Sequence, residues 1–166
     1  MSALAETMEE LIAAGDKPQG VYLYPGQLIV TPEASLVTTI LGSCIAICLW
    51  DAQSWIAGIN HYLLPINPLR GTSDARYGNT ATEQLVAQMV SRGAVASRLT
   101  AKIVGGAAVM TAFSARQKSI GEQNTEVARD VLAKFGIPIV AEQVGGQRGR
   151  KLLFHTGNGC AYSKEI

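Results

Sequence analysis

Apolar residues follow two different periods along this chain, and each change of period predicts where strands give way to helices. Apolar positions recur every three or four residues in 81–94 and in 122–135, which predicts two amphipathic helices. Gly136 directly follows the second segment, at the position where glycine commonly ends a helix. A shorter amphipathic helix is predicted over residues 3–14.

Strands are predicted from short apolar runs that are bounded by turn-forming residues. In chain order they are two strands within 20–32, separated at Pro25 and Gly26, and then 35–44, 45–51, 55–65, 101–110, 137–143, 151–156 and 159–163. The runs 45–51 and 55–65 are expected to pair with each other across a short turn. Many strands with two main helices predict a mixed α+β sandwich, and no repeat or linker divides the sequence.

Composition and charge exclude several classes of function. The chain has 166 residues, of which 48% are hydrophobic and 16% are charged, so it can bury a sizeable core. A formal net charge of +1 provides no overall field that would attract nucleic acid or an anionic membrane. The apolar runs are too short to span a bilayer. The first residues lack the basic start and apolar centre of a signal peptide, so a cytoplasmic protein is expected.

One cysteine and one histidine form the candidate site. Cys44 follows the small residues Gly42 and Ser43, and His61 lies on the strand that is expected to pair with the strand after Cys44. A turn centred near residues 52 and 53 places Cys44 and His61 nearly opposite each other, with Cβ atoms about 5 Å apart. A neighbouring imidazole can take the thiol proton and so activate the sulfur as a nucleophile. A bend at Gly42 can also bring backbone N–H groups together around a developing negative charge.

The same residues also have simpler interpretations. Cysteine is among the most often buried residues, and a histidine beside apolar neighbours is often a hydrogen-bonded core residue. Cys48 is expected in the core, and an odd count of three cysteines does not predict a disulfide framework. A metal site built from Cys44, Cys48, His61 and Cys160 lacks a compact Cys-x-x-Cys pair, so neither a metal nor another cofactor is expected.

Several separate motifs occur in an order that is specific. The first two are TTILGSC (38–44) and GINHYLLP (58–65), which contain the candidate cysteine and histidine. The others are RYGNTATEQLV (76–86), AKIVGGAAVM (101–110), the long segment 120–146 and GRKLLF (149–154). In sequence and in order they resemble the CheD family of bacterial chemotaxis. Residues 1–17 are then expected to be an N-terminal extension, and 18–166 a single CheD-like domain.

The resemblance implies both a fold and an activity. The implied fold is a layered α/β/β sandwich with mixed sheets and two main helices. The implied activity is hydrolysis of particular glutamine side chains on methyl-accepting chemoreceptors to glutamate and ammonia, through a cysteine thioester and without a cofactor. The cysteine, histidine and threonine that the family uses match Cys44, His61 and Thr38 in this sequence.

The resemblance also implies a partner, and two alternative functions stay open. CheD proteins of many species bind CheC, a phosphatase of the phosphorylated response regulator. A CheD-like chain can instead act mainly by docking on CheC or on a receptor, and the same thiol chemistry also suits a receptor methylesterase. The polar segment 66–80 is expected to be a loop that forms one wall of the substrate cleft, with Asn60, Arg76 and Tyr77 as candidate cleft residues.

Overall fold

Strands dominate the computed structural model of this chain, which describes residues 4–12, 18–69, 71–109 and 117–166. The helices of these ranges are α1 (Met8–Ile12), α2 (Gly78–Ser91) and α3 (Ile120–Lys134). The strands are β1 (Gln19–Tyr22), β2 (Leu28–Thr31), β3 (Ser35–Leu41), β4 (Ile45–Asp51), β5 (Ile56–Asn60), β6 (Thr100–Gly105), β7 (Ile139–Val144), β8 (Arg150–His155) and β9 (Ala161–Glu165). Every strand and both long helices overlap the segments in which the hydrophobic pattern predicts them, although their ends differ by up to several residues.

The strands form two mixed sheets. The first sheet has the order β1-β3-β8-β9, with β1 parallel to β3 and the other neighbours antiparallel. The second has the order β2-β5-β4-β6-β7, and only its last pair, β6 and β7, is parallel. The predicted pairing of β4 with β5 is confirmed, and so is the α+β sandwich class.

The second sheet is buried on both of its faces. Ala46 and Cys48 of β4 pack toward the first sheet, in a layer that also contains Phe154 of β8. Ile47 and its neighbours on the alternate positions pack against α2 and α3, where Leu85 is fully buried. Because β4 is covered on both sides, its sequence is a continuous apolar run rather than an alternating one. Cys48 is therefore a core residue, as predicted.

The two long helices have different kinds of ends. A capping box begins α3, in which the Ser119 hydroxyl accepts the Glu122 N–H and the Glu122 carboxylate accepts the Ser119 N–H. Gly136 follows α3 with a φ of +68°, a left-handed conformation that glycine adopts without strain. This confirms the predicted position of the helix end.

The short helix α1 lies on the outer face of the first sheet. Leu11 is fully buried there against Leu153 and Cys160. Helix α1 spans five residues, fewer than the predicted range of 3–14, and residues 3, 13 and 14 of that range lie outside the described residues. The helix packs on the side of the first sheet that faces away from the second sheet.

Candidate active site

The start of β4 and the end of β5 bring Cys44 and His61 onto the same face of the second sheet. Ile45 and Tyr62 exchange both backbone hydrogen bonds, with N···O distances of 3.2 and 3.0 Å. In this register Cys44 lies opposite Leu63, and His61 lies opposite Ala46. Since side chains alternate along a strand, Cys44 and His61 both project toward the first sheet.

The sequence-based register was wrong by two residues. It placed Cys44 and His61 directly opposite each other, whereas in the structure they are diagonal neighbours. Such neighbours have backbone positions about 7 Å apart, a gap that a side chain as long as histidine can reach across. The error arises at the turn, which the structure centres between residues 53 and 54 instead of near 52 and 53.

A hydroxyl group of the opposite sheet holds the imidazole of His61. The Thr39 Oγ1 atom lies 2.7 Å from His61 Nδ1 and 2.7 Å from the backbone carbonyl oxygen of Leu23. A hydroxyl has one hydrogen, which Thr39 donates to Leu23, so Thr39 must accept its second hydrogen bond from His61 Nδ1–H. The neutral ring therefore carries its lone pair on Nε2, the nitrogen that can act as a base.

This contact belongs to Thr39 and not to Thr38, the residue that the sequence motif indicated. The two threonines are consecutive on β3, so their side chains lie on opposite faces of the first sheet. Thr39 is fully buried on the face toward His61, together with Val37 and Leu41 of the same strand. The backbone carbonyl of Thr38 accepts the Leu23 N–H at 2.9 Å, which fixes the segment that Thr39 also contacts.

Burial favours the neutral forms of both candidate catalytic groups. It lowers the pKa of His61 to about 4, and the side chain has an exposed fraction of only 1%. Burial also raises the pKa of the Cys44 thiol, and the N–H of the same residue opposes this by lowering it. Within the described ranges, Nε2 of His61 is buried without a hydrogen-bond partner. At neutral pH the site thus contains a neutral thiol and a neutral imidazole whose basic nitrogen is available.

The residues before Cys44 form a bend whose carbonyl groups are all engaged. Ala107 N–H donates to the Gly42 carbonyl at 2.9 Å, and Gly106 N–H donates to the Cys44 carbonyl at 2.8 Å. The Ser43 carbonyl between them accepts a hydrogen bond at 2.9 Å from the side-chain amide of Asn124, on α3. The N–H of Cys44 has no acceptor among the described residues, and it lies beside the sulfur of its own side chain. It is thus the natural donor for an anion that forms at the thiol.

The three predicted cleft residues lie in different places. Asn60 is fully buried on the face toward the helices, where its Oδ1 accepts the Ile47 N–H at 2.9 Å, so the structure does not place it beside His61 on the cleft face. Arg76 is exposed and bonds to Asp74, and its side chain passes close to Gly26. Gly26 in turn donates its N–H to the His61 carbonyl, which places Arg76 at the rim of the site.

Tyr77 is the N-cap residue of α2 and bridges to the chain just after His61. Its backbone pairs with Leu64, and the neighbouring Arg76 carbonyl accepts the N–H groups of both Leu63 and Leu64. Residues 78–80 of the predicted loop 66–80 instead form the first turn of α2, and residue 70 lies outside the described residues. The rest of the predicted loop starts and ends beside the site. Exposed apolar side chains beside these segments include Tyr24, in the turn that bonds to His61, Leu64, and Val109, which lies close to Gly42.

Sequence reasoning missed Asn124, which donates its amide hydrogens to the Ser43 and Leu63 carbonyls at 2.9 Å each. A signal was present in the sequence. Asn124 precedes the apolar positions Val127 and Val131 at helical spacing, so it is a polar residue on the buried stripe of α3. A buried polar side chain needs hydrogen-bond partners, and here they are the backbone on either side of the candidate site.

The described residues lack two features that other classes of protein have. In the described part of the chain, no group of three or more His, Cys, Asp or Glu side chains is arranged to hold a metal ion. Among the helices of the same residues, none has the length and apolar character needed to cross a membrane. All three cysteines carry free thiols, and Cys44 is the one that is partly exposed.

Comparison with known proteins identifies relatives over most of the chain. A family model described as CheD chemotactic sensory transduction matches residues 63–165. A protein of Anaeromyxobacter dehalogenans (strain 2CP-C), named probable chemoreceptor glutamine deamidase CheD 1, is 42% identical over 93% of this chain and 92% of its own length. A protein of Trichlorobacter lovleyi, named probable chemoreceptor glutamine deamidase CheD, is 40% identical over 83% of this chain and 85% of its own length.

Comparison with solved structures also found matches, one of which is the hypothetical protein YfiH of Bacillus licheniformis. It has a TM-score of 0.46 and 14% sequence identity, covering 69% of this chain and 49% of that protein. A likeness at this level carries no argument about the present chain.

Proposed function

The chain belongs to the CheD family, and from this membership and the site geometry we propose that it deamidates glutamine side chains of methyl-accepting chemoreceptors. The observation that carries the proposal is the hydrogen bond between Thr39 and His61. It leaves the lone pair of the imidazole on Nε2, on the sheet face that Cys44 shares. A base held in one tautomer beside a thiol is the arrangement that nucleophilic catalysis requires.

In the proposed first half-reaction, His61 Nε2 takes the proton of the Cys44 thiol as the sulfur attacks the Cδ carbon of the substrate glutamine. The carbonyl oxygen becomes an oxyanion, which accepts a hydrogen bond from the Cys44 N–H. The protonated His61 then gives its proton to the substrate nitrogen, because an amide ion is too poor a leaving group. Ammonia departs, and a thioester joins Cys44 to the substrate.

In the second half-reaction, water replaces ammonia. His61 Nε2 takes a proton from the water, and the resulting hydroxide attacks the thioester carbon. The sulfur leaves as a thiolate, which regains its proton from His61, and the substrate is released with a glutamate side chain. The sum is one amide and one water converted to one carboxylic acid and one ammonia, and the steps require no cofactor. Thr39 keeps the imidazole oriented throughout.

The names of the relatives support the proposed substrate, and the free thiols support the proposed cellular location. The two relatives described above are named chemoreceptor glutamine deamidases. Exposed apolar side chains near the site, such as Leu64 and Val109, suit a substrate that is a protein surface. Three free cysteines are typical of a protein in a reducing compartment, so the proposal includes a cytoplasmic location.

The proposal also covers a partner and the extent of the catalytic unit. We include the phosphatase CheC as a binding partner, as the family resemblance implies. We also propose that residues 18–166 carry the activity and that 1–17 are an extension, because α1 packs on the outer face of the first sheet, away from Cys44. Titration of the chain with purified CheC, and assay of a chain that begins at residue 18, test these two points.

The direct test is mass spectrometry of a chemoreceptor cytoplasmic fragment after incubation with the protein. Wild-type protein is expected to convert glutamine to glutamate, and Cys44→Ala is expected to abolish the conversion. Cys48→Ala is the matched control, because that cysteine is buried in the core and should leave activity largely intact. Equal conversion by wild type and Cys44→Ala would exclude the cysteine mechanism. Binding of the fragment without conversion by wild type would instead favour a docking function.

A further inference from the structure

The side-chain amide of Asn124 connects the strand of the nucleophile with the strand of the base. Its Nδ2 atom donates one hydrogen bond to the Ser43 carbonyl and one to the Leu63 carbonyl, each at 2.9 Å. Both acceptors are backbone oxygens, so only an NH₂ group can satisfy them, and the orientation of the amide is fixed. Leu63 lies opposite Cys44 in the strand register, so the two bonds span the end of the ladder at the site itself.

Helix α3 holds Asn124 firmly in this place. Asn124 is fully buried, and its own backbone carbonyl accepts a short hydrogen bond from the Tyr62 hydroxyl at 2.5 Å. The first turn of α3 packs closely on Gly106, where an added Cβ would lie only 2.3 Å from the Thr125 hydroxyl oxygen. Gly106 is the residue whose N–H binds the Cys44 carbonyl. The helix thus contacts the nucleophile segment both through a side chain and through backbone packing.

The Ser43–Cys44 peptide group is the part of the site that Asn124 orients. In a trans peptide the C=O and N–H bonds point in opposite directions. Because the Ser43 carbonyl points toward Asn124, the Cys44 N–H points away from α3. This N–H lies beside the Cys44 sulfur and has no acceptor among the described residues. A substrate carbonyl oxygen that is attacked by that sulfur comes within reach of the same N–H.

We propose that Asn124 is a positioning residue that aims the backbone N–H of Cys44 at the oxyanion of the transition state. The inference rests on the proposed function of Cys44 as an acylated nucleophile. Oxyanion donors act because they are fixed before the charge develops, and the loss of one donor costs roughly 10²- to 10³-fold in rate. Asn124 supplies this fixation without contacting the substrate. Its contribution therefore applies to acyl transfer and not to every reaction of the thiol.

Two reactions of the same sulfur separate positioning of the oxyanion donor from simple exposure or activation of the thiol. In acylation by p-nitrophenyl acetate, Cys44 attacks a carbonyl, passes through an oxyanion, and expels p-nitrophenolate as the thioester forms. In alkylation by iodoacetamide, the sulfur displaces iodide from a saturated carbon, and no oxyanion forms. A residue that positions the oxyanion donor changes the first rate and leaves the second unchanged. Neither reagent depends on recognition of a receptor.

The experiment compares wild type, Asn124→Ala, Asn124→Ser and the control Leu132→Ala. The control removes buried packing from the same helix, because Leu132 is fully buried on α3 about two turns away from Asn124. We expect Asn124→Ala to acylate at least about tenfold more slowly, and to deamidate a receptor fragment about 10²-fold more slowly. Its alkylation rate at Cys44 is expected to stay within about twofold of wild type. Asn124→Ser keeps one donor, so it should fold readily, and its acylation rate should lie between those of wild type and Asn124→Ala. Leu132→Ala should match wild type in both reactions.

Three outcomes would overturn the inference. Unchanged acylation in both Asn124 variants would show that the amide does not position the donor. Equal losses of acylation and alkylation would show that Asn124 acts on the thiol or on the fold as a whole. An equal loss of acylation in Leu132→Ala would assign the effect to helix stability. Because acylation is measured without a receptor, failure of wild type to deamidate the fragment would count against the proposed function and leave this test valid.

Discussion

Thr38 and Thr39 are chemically identical neighbours, and only the direction of the side chain distinguishes their roles. Thr39 points into the layer between the two sheets, where its hydroxyl links the Leu23 carbonyl to His61. Thr38 points to the other face of the same sheet. Since one hydroxyl hydrogen is used by Leu23, the bond with His61 selects the ring tautomer as well as the ring orientation.

Substitution of the two threonines by valine provides a matched pair of variants. Thr39→Val keeps the shape of the side chain but removes the acceptor for His61 Nδ1–H. We expect kcat/KM for deamidation to fall on the order of 10²-fold, because the imidazole loses its fixed tautomer and orientation. Thr38→Val should stay within about twofold of wild type. A large loss in Thr38→Val with normal activity in Thr39→Val would contradict the role of the observed hydrogen bond.

The buried imidazole of His61 also makes the stability of the protein depend on pH. Burial lowers the pKa of His61 to about 4, whereas an unfolded histidine titrates near pH 6.5. Between these values the unfolded chain binds more protons, so the free energy of unfolding falls as the pH falls from about 6.5 to about 4. From pH 7 to pH 5 the expected loss from this residue is about 2 kcal/mol.

Urea unfolding of wild type and His61→Gln at pH 7 and pH 5 measures this contribution. The variant is expected to lose about 2 kcal/mol less than wild type between the two pH values. His155 is present in both proteins, so the difference isolates His61. Identical pH dependence in the two proteins would mean that His61 is not buried in its neutral form.

The identities of the candidate catalytic cysteine and histidine were accessible from the sequence, whereas their geometry was not. Cys44 and His61 stand in motifs that resemble one family and at the ends of two predicted strands. The position of a turn decides the register, and a shift in the turn centre moved His61 from a directly opposed to a diagonal position. The sequence also does not show which of the two adjacent threonines contacts His61, because a shift of one residue along a strand reverses the face on which a side chain lies.

At the scale of secondary structure, the glycine-containing turn after β6 joins the site to α3. Gly106 has a φ of +67°, and its N–H binds the Cys44 carbonyl. Gly136, after α3, has nearly the same φ of +68° but no atom within 4 Å of the position that a Cβ would occupy. The two glycines therefore share a backbone conformation and differ in their surroundings.

Alanine substitutions at these two glycines separate backbone strain from close packing. Gly136→Ala is expected to cost about 1 kcal/mol of stability, the usual penalty for a left-handed alanine. Gly106→Ala is expected to cost about 3 kcal/mol, because its Cβ would also clash with the Thr125 hydroxyl and the Gly121 carbonyl. It should also reduce the deamidation rate, since relief of the clash moves either α3 or the Cys44 carbonyl.

Thermal unfolding and deamidation rates of the two variants measure both effects. Equal losses of stability would mean that α3 yields to the added methyl group without cost. A Gly106→Ala protein with normal activity would contradict the link between this turn and the nucleophile.

The elements themselves were predictable because their hydrophobic patterns agree with their surroundings. Strand β4 is apolar throughout since it lies between the other sheet and two helices, and the apolar stripe of α3 is the face that packs on that sheet. The sequence does not reveal which strands are neighbours across the molecule. The pairing of β3 with β8 joins residues more than a hundred positions apart, and no local pattern encodes such a contact.

At the scale of the whole molecule, the candidate site lies between two sheets and depends on their relative position. Cys44 and His61 belong to the second sheet, and Thr39 belongs to the first. Strand β8 supports Thr39 from the side, because Leu152 is its partner in the β3–β8 register and is fully buried between the sheets. The distance of 2.7 Å between Thr39 and His61 is thus set by the packing of this layer. The layer between the second sheet and the helices does not set it directly.

Two leucine-to-alanine variants test this dependence. Leu152 projects into the layer between the sheets, and Leu85 projects from α2 toward β5. Both are fully buried, so each substitution is expected to lower the free energy of unfolding by about 2–5 kcal/mol. The cavity left by Leu152→Ala allows the sheets to shift, and we expect kcat/KM to fall about tenfold, as an imperfectly aligned base transfers protons less efficiently. Leu85→Ala should keep nearly wild-type kcat/KM at a temperature where both variants are folded. The measurements are the deamidation kinetics and the free energy of unfolding of each variant. Together they separate the alignment of His61 from the stability of the protein. If activity followed stability alone in both proteins, the inter-sheet packing would have no particular role in holding Thr39 against His61.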